Sequence, residues 1–130
     1  MIKIPKAIIE MIKRQAGEEA PLEACGYLAG VDQVVEGLFP MTNIDQSPEH
    51  FSFDPKEQLK VIKSARAKGW ELAAVYHSHP ASAARLSQED IRLAHDPDIV
   101  YLIYSIPENK LSAFKLVAGK VISEEIRVGV

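Results

Sequence analysis

The sequence predicts an α/β or α+β sandwich in which one mixed β-sheet is flanked by about three helices. Helical and strand patterns alternate in the first part of the chain, and strand patterns cluster in its last third. The composition, 47% hydrophobic and 25% charged, is that of an ordinary globular protein. A chain of 130 residues suits a single domain over residues 1–130.

The first predicted elements are a helix and a pair of strands. Pro5 suits a first helical position, and residues 6–20 follow it with apolar side chains at helical spacing, among them Ile8, Met11 and Ile12. Residues 23–41, "EACGYLAGVDQVVEGLFPM", predict two short strands that turn near positions 31–33.

The middle of the chain predicts a loop, a short strand, a helix and a buried strand. Residues 42–50 are polar, and "HFSFD" at 50–54 predicts a strand. Asp54 is a suitable N-cap for the second helix, and Gly69 suits the C′ position that ends it. Residues 70–79, "WELAAVYHSH", are apolar enough for a strand buried on both faces.

The last third predicts one short helix followed by strands. Ser87 begins a helix over residues 87–95, and "IVYLIYSI" at 99–106 predicts a central strand. Residues 110–128 predict two further strands with a turn at 118–120.

Charge and cysteine content exclude several classes of protein. A net charge of −3 and a pI of about 5.8 argue against a broad nucleic-acid surface. One cysteine, Cys25, cannot form an internal disulfide or a zinc site built mainly from thiolates. No signal peptide is expected, and no stretch approaches the roughly 20 apolar residues of a membrane span, so we expect a cytoplasmic protein.

Two of the four histidines lie one residue apart at the end of the predicted 70–79 strand. Alternate residues of a strand share a face, so His77 and His79 point the same way with Cα atoms about 6.6 Å apart. Two imidazoles at that spacing can converge on one metal ion. Pro80 cannot extend the strand, which places the pair at the strand end.

Ser87 and Asp90 have the spacing of a helix N-terminus, where they would be N-cap and N3 residues. By itself this pair is typical of a helix cap. The joint array His-x-His-x7-Ser-x2-Asp is much rarer than either half, which favours a functional site.

Glu23 lies upstream of this array, in "PLEACGYLAG", and the histidine pair stands in the sequence "HSHP". With these two features the array resembles the JAMM or MPN-domain zinc metallopeptidases, and in particular their short prokaryotic members. The resemblance covers nearly the whole chain. It implies a fold like that of the cytidine deaminases, with a mixed sheet flanked by helices.

The resemblance also implies the role of each site residue. His77, His79 and Asp90 would bind one zinc ion per chain and leave a fourth position open for water, as in catalytic zinc sites. Zinc lowers the pKa of a bound water toward about 7. Glu23 would accept the proton and pass it to the leaving amine, and Ser87 would donate a hydrogen bond to the oxyanion.

The expected reaction is hydrolysis of a peptide or isopeptide bond at the C-terminal Gly-Gly tail of a small β-grasp protein, either ubiquitin-like or a sulfur carrier. The 42–51 loop is either one wall of the channel for that tail or an ordinary surface loop, and Asn43 is its first residue to test. Cys25 is either a small buried apolar residue or a neighbour of the metal. The sequence indicates no oligomeric state.

Two rival enzyme classes are excluded, and one alternative stays open. Zinc nucleoside deaminases need a Pro-Cys-x-x-Cys pair, and amidohydrolase barrels need about 250 residues. His50 and His95 have no partner at ligand spacing and are interpreted as surface or structural residues. The open alternative is a non-catalytic MPN-type scaffold that binds a partner protein.

Overall fold

The computed structural model describes residues 1–94 and 96–129, and this part of the chain forms one eight-stranded sheet with three helices. In chain order the elements are β1 (Ile2–Pro5), α1 (Lys6–Glu19), β2 (Cys25–Val31), β3 (Val34–Met41), α2 (Pro55–Ala67), β4 (Glu71–His79), α3 (Gln88–Leu93), β5 (Val100–Ser105), β6 (Lys110–Val117), β7 (Lys120–Glu124) and β8 (Ile126–Gly129).

The sheet is mixed, as the sequence predicts, and its strand order is β7-β6-β5-β4-β2-β3-β1-β8. Strands β4 and β5 are parallel, and β1 is parallel to both of its neighbours, β3 and β8. The other pairs are antiparallel. Strand β4 therefore lies in the interior of the sheet, between β5 and β2.

Strand β4 is buried on both faces and separates two hydrophobic clusters. Ala74 and Tyr76 belong to the cluster that contains the buried face of α1. Val75 belongs to the other cluster, together with Val61 of α2. Because alternate strand residues share a face, the side chain of His77 follows that of Val75 onto the α2 side of the sheet.

The start of the chain differs from the prediction. Pro5 is the last residue of β1 and the N-cap of α1, rather than its first helical residue. Met11 is half exposed, and the buried stripe of α1 comprises Ile8, Ile9, Ile12 and Ala16. Helix α2 agrees with its predicted caps: the Lys56 amide donates to the Asp54 carboxylate at 2.9 Å, and Gly69 has a φ of +76° at C′.

The predicted strand over residues 50–54 is wrong, because the segment has no strand partner. Its backbone polar groups bond the Asn43 side chain instead: the Ser52 amide donates to Asn43 Oδ1 at 3.3 Å, and the His50 carbonyl accepts from Asn43 Nδ2 at 3.0 Å. Residues 50–54 therefore alternate apolar and polar side chains as a strand does, but they form a loop whose backbone is held by the buried side-chain amide of Asn43.

Residues 110–128 contain three strands rather than the predicted two. The turn after Val117 is where the sequence places it, but Glu125 interrupts the second strand. Residues Ile126–Gly129 form β8, which pairs with β1 at the opposite edge of the sheet. Strands β1 and β8 have four residues each, which is too few to show the alternation of apolar and polar side chains that predicts a strand.

Helix α3 ends at Leu93, earlier than predicted, and the interpretation of His95 lies outside the described residues. Within the described ranges, no helix combines the length and apolar character needed to span a membrane.

Candidate metal centre and active site

Antiparallel pairing of β2 with β4 brings Glu23 beside the histidine pair. Cys25 pairs with His77, and the Ser78 amide donates to the Ala24 carbonyl at 2.9 Å. Glu23, two residues before Cys25, is thereby carried to the end of β4 near His79. The Glu23 side chain is only 2% exposed, so the sheet buries a carboxyl group at this point.

The imidazoles of β4 meet the carboxylate of α3. The Nε2 atoms of His77 and His79 lie 3.1 Å apart. Asp90 Oδ1 is 3.3 Å from His77 Nε2, and Asp90 Oδ2 is 3.1 Å from His79 Nε2. All three side chains are at least 94% buried. The fold thus brings together the three residues that the resemblance marks as metal ligands.

The electrostatics of this group favour an ionised carboxylate and a neutral His77. Burial alone would raise the pKa of the Asp90 carboxyl, but hydrogen bonds with His77 and His79 outweigh it and hold the pKa well below its usual value. Burial lowers the pKa of His77. Burial also opposes the charge on His79, but its contacts with Asp90 and the Ala83 carbonyl raise the pKa overall.

The other ring nitrogen of His79 has a partner of its own. His79 Nδ1 donates to the Ala83 carbonyl at 2.8 Å. A neutral imidazole that donates from Nδ1 has a lone pair on Nε2, the atom that faces Asp90 and His77. Lone-pair atoms that converge in this way repel one another unless a proton or a cation lies among them. The donor set therefore fits a metal ion.

Glu23 adds a further observation that fits a cation. One of its carboxylate oxygens and a ring nitrogen of each histidine lie within 4.8 Å of one another. Its Oε1 atom is buried without a hydrogen-bond partner among the residues that the structure describes. Burial raises the pKa of this carboxyl to about 8, a rise that His79 opposes and Asp90 supports. A buried oxygen in this state needs a polar neighbour that the protein alone does not supply.

Ser87 is the N-cap of α3 and forms a capping box with Asp90. The Asp90 amide donates to Ser87 Oγ at 3.0 Å, and the Ser87 amide donates to Asp90 Oδ2 at 2.9 Å. Capping uses a lone pair of the hydroxyl and leaves its proton available. The cap and the predicted oxyanion role of Ser87 are therefore compatible.

Ser78 is a buried site residue whose role the sequence analysis missed. It is 1% exposed, and its Oγ accepts a hydrogen bond from the Ala24 amide at 2.8 Å. The Ser78 amide also donates to the Ala24 carbonyl. The two contacts fix Ala24, the neighbour of Glu23, against β4, the strand that carries both histidines. A serine between two histidines is the only sequence signal for it.

Replacing Ser78 by alanine is expected to destabilise the protein by about 1–3 kcal/mol, because it leaves the buried Ala24 amide without an acceptor. Urea unfolding measures the change, and Ser64→Ala, at an exposed position of α2, is the matched control. A Ser78→Ala protein as stable as the wild type would show that this contact is dispensable.

The loop between β3 and α2 covers one side of the histidine pair. Asn43 is 5% exposed, and its amide donates to the carbonyls of Glu23 at 3.1 Å and His50 at 3.0 Å. The ring of Phe51 stacks on His77 with centroids 4.9 Å apart. The sequence leaves open whether the 42–51 loop is a channel wall or an ordinary surface loop. In the structure this loop is hydrogen-bonded to the backbone of Glu23 and packs against His77.

A cavity of about 410 Å³ opens beside His77 and Asp90. Most of its remaining lining is apolar or aromatic and includes Tyr27, Phe51, Phe53, Val75, Leu86 and Tyr101. Cys25 does not line this opening: it is fully buried in the cluster on the α2 side, with its thiol 3.7 Å from the Met41 carbonyl. It is a buried apolar residue, in agreement with the first of its two interpretations.

Comparison with solved structures identifies the fold as that of the JAB1/MPN domains. A protein from Desulfitobacterium hafniense superposes with a TM-score of 0.90 at 43% identity, over 99% of this chain and 93% of that one. A JAB1/MPN domain protein from Archaeoglobus fulgidus superposes with a TM-score of 0.69 at 22% identity, over 98% and 97% of the two chains.

The chain belongs to the family of prokaryotic homologues of the JAB domain, whose sequence profile matches residues 5–117. It is 33% identical to the CysO-cysteine peptidase of Mycobacterium tuberculosis, over 93% of this chain and 86% of the relative. It is 31% identical to a desampylase of Haloferax volcanii, over 82% and 78%.

A third relative, from Thermus thermophilus, is named a probable TtuB-protein conjugate cleaving protease and is 35% identical over 72% of this chain and 64% of its own length. The family and these relatives make the chain a hydrolase of the JAMM type.

Proposed function

We propose that this chain is a single catalytic domain that uses zinc to hydrolyse a peptide or isopeptide bond. The observation that carries the proposal is the convergence of two imidazoles and one ionised carboxylate, beside a Glu23 oxygen that has no hydrogen-bond partner in the described part of the chain. A non-catalytic scaffold would not require these groups to converge.

His77, His79 and Asp90 would hold the zinc ion, and Glu23 would act on protons. Asp90 suits a ligand because its carboxylate contacts both imidazoles and its pKa is depressed. Glu23 suits a general base because its buried carboxyl lies beside the proposed ligands, and burial raises its pKa in the metal-free protein to about 8. When bound, zinc would supply an activated water and polarise the scissile carbonyl.

The protein's own groups would then carry the proton and stabilise charge. Glu23 accepts the proton of the attacking water and donates it to the leaving amine. Because Glu23 is buried, bulk solvent does not compete for this proton. The hydroxyl of Ser87 donates a hydrogen bond to the oxygen on which negative charge develops.

Ser87→Ala is expected to lower kcat by about 10²–10³-fold, because an oxyanion donor is lost. Stability is expected to fall by only about 1 kcal/mol, the usual value of an N-cap. Steady-state kinetics and thermal unfolding separate the two effects. Ser87→Asp, which keeps a capping oxygen but has no proton to donate at neutral pH, is the matched control: if it restored full turnover, the hydroxyl proton would have no role.

The proposed substrate is the C-terminal Gly-Gly tail of a small ubiquitin-like or sulfur-carrier protein, met in the cytoplasm. Relatives named for CysO-cysteine cleavage, desampylation and TtuB-conjugate cleavage support this class of partner. A tail without side chains can run close to the 42–51 loop, where Phe51 covers His77.

Fusions of β-grasp proteins that end in Gly-Gly followed by a leaving peptide test the proposal, with mass spectrometry as the readout. We expect zinc-dependent cleavage directly after the second glycine and none when both glycines are replaced by valine. Cleavage that ignores the tail sequence, or no cleavage of any fusion by zinc-loaded protein, would contradict the proposed substrate class.

A further inference from the structure

We propose that Glu108 and Ser105, where β5 turns into β6, are positioning residues for His79. They fix the carbonyl of Ala83, and this carbonyl sets the orientation and tautomer of the His79 imidazole. The inference rests on the proposed metal site and assigns a function to a turn that no site motif contains.

The segment between β4 and α3 is tied to this turn on both sides of Ala83. Ser105 Oγ donates to the Ser82 carbonyl at 2.6 Å. The Ala84 amide donates to Glu108 Oε1 at 2.7 Å. The Glu108 amide in turn donates to Ser105 Oγ at 3.2 Å, so the two anchors form one network.

The same turn also holds the backbone of His79. Ser105 pairs with His79 in the parallel register of β5 and β4, and the Ile106 amide donates to the His79 carbonyl at 3.1 Å. The imidazole then donates from Nδ1 to the Ala83 carbonyl at 2.8 Å. Backbone and ring of His79 are therefore fixed by one element, which directs Nε2 toward Asp90.

The Ala83 carbonyl also accepts from the Arg85 amide at 2.9 Å, but this contact lies within the segment and does not tie it to the sheet. Residues 80–87 have no helix or strand, and the side chains around Ala83 are small. Ala84 is buried, but Ser82 and Arg85 are exposed. The hydrogen bond to Glu108 thus ties the C-terminal side of Ala83 to the sheet, and Ser105, which is fully buried, ties the other side.

Loss of the Glu108 carboxylate is expected to weaken zinc binding by up to about 10-fold, the lower end of the effect of removing an outer partner of a ligating histidine, because Glu108 acts through the Ala83 carbonyl. Zinc affinity is measured by competition with a chelator for the wild type, Glu108→Ala, Glu108→Gln and Ser105→Ala. Glu108→Gln keeps an acceptor oxygen and is expected to bind zinc like the wild type. Glu108→Ala and Ser105→Ala are both expected to bind more weakly.

Solvent exchange of the His79 Nδ1 proton, followed by NMR, gives a second readout that needs no metal. This exchange is expected to accelerate in Glu108→Ala and not in Glu108→Gln, with the backbone amide spectrum as the check on the fold. Unchanged zinc affinity and unchanged exchange in Glu108→Ala would overturn the inference. A wild type that binds no zinc would overturn the proposed function, while the exchange rates would still decide the role of Glu108.

Discussion

Replacing Glu23 by glutamine is expected to lower turnover by about 10²–10⁴-fold while zinc binding is retained. The amide keeps the size of the side chain but cannot accept and return a proton. Cleavage of a Gly-Gly-tailed fusion measures turnover, and elemental analysis measures zinc. A Glu23→Gln enzyme with wild-type kcat would show that the base is another group.

In the metal-free protein, Glu23→Gln is also expected to change how the stability of the fold depends on pH. Burial raises the pKa of Glu23 to about 8, whereas the unfolded carboxyl titrates near pH 4.3. A raised pKa stabilises the folded state below the unfolded value, and this contribution is lost as the pH rises toward 8. The ionised carboxylate thus destabilises the metal-free fold at alkaline pH, and glutamine does not.

We therefore expect metal-free Glu23→Gln to melt with the wild type near pH 4 and well above it, by roughly 10–20 °C, at pH 9. Thermal unfolding in the presence of a chelator measures this difference. Glu36→Gln, at an exposed position of β3, should show no such trend. Equal melting temperatures of wild type and Glu23→Gln at pH 9 would mean that the Glu23 carboxyl is not as desolvated as its burial indicates.

Removal of a proposed ligand is expected to abolish stoichiometric zinc binding without unfolding the protein. His77→Ala deletes one of two imidazoles, and Asp90→Asn removes a carboxylate that contacts both of them. Each change should weaken zinc binding by more than about 100-fold, beyond the 10–100-fold typical of an outer partner. Asn at position 90 can still accept the Ser87 amide, so α3 should keep its cap.

Chelator competition gives the affinity, and circular dichroism gives the fold. His50→Ala is the matched control, because the His50 ring pairs with Asp45 at 2.9 Å on the loop outside the ligand group. His50→Ala should bind one zinc ion per chain. Full zinc content in His77→Ala or Asp90→Asn, in protein of wild-type activity, would contradict the assignment of the ligands.

Much of the fold is readable from local pattern. The hairpin of β2 and β3, the capped helix α2 and the buried strand β4 follow from apolar runs, turn positions and the Asp54 and Gly69 signals. The errors fall where tertiary contacts override local pattern. The 50–54 segment alternates like a strand but bonds a buried asparagine. Strands β1 and β8 form through long-range pairing at one edge of the sheet, where β1 lies between β3 and β8.

The sequence by itself determined the family and predicted the two polar pairs of the 77–90 array, because strand alternation relates His77 to His79 and a helix cap relates Ser87 to Asp90. It also pointed to Glu23, through the family pattern.

The tertiary structure alone decided what surrounds these groups. The register of β2 on β4 places Glu23 beside His79 and makes Ser78 an anchor, since a hydrogen bond between residues 54 positions apart leaves no local trace. The turn at Glu108 reaches the Ala83 carbonyl for the same reason: long-range backbone bonds depend on how strands pair, which residue spacing along the chain does not encode.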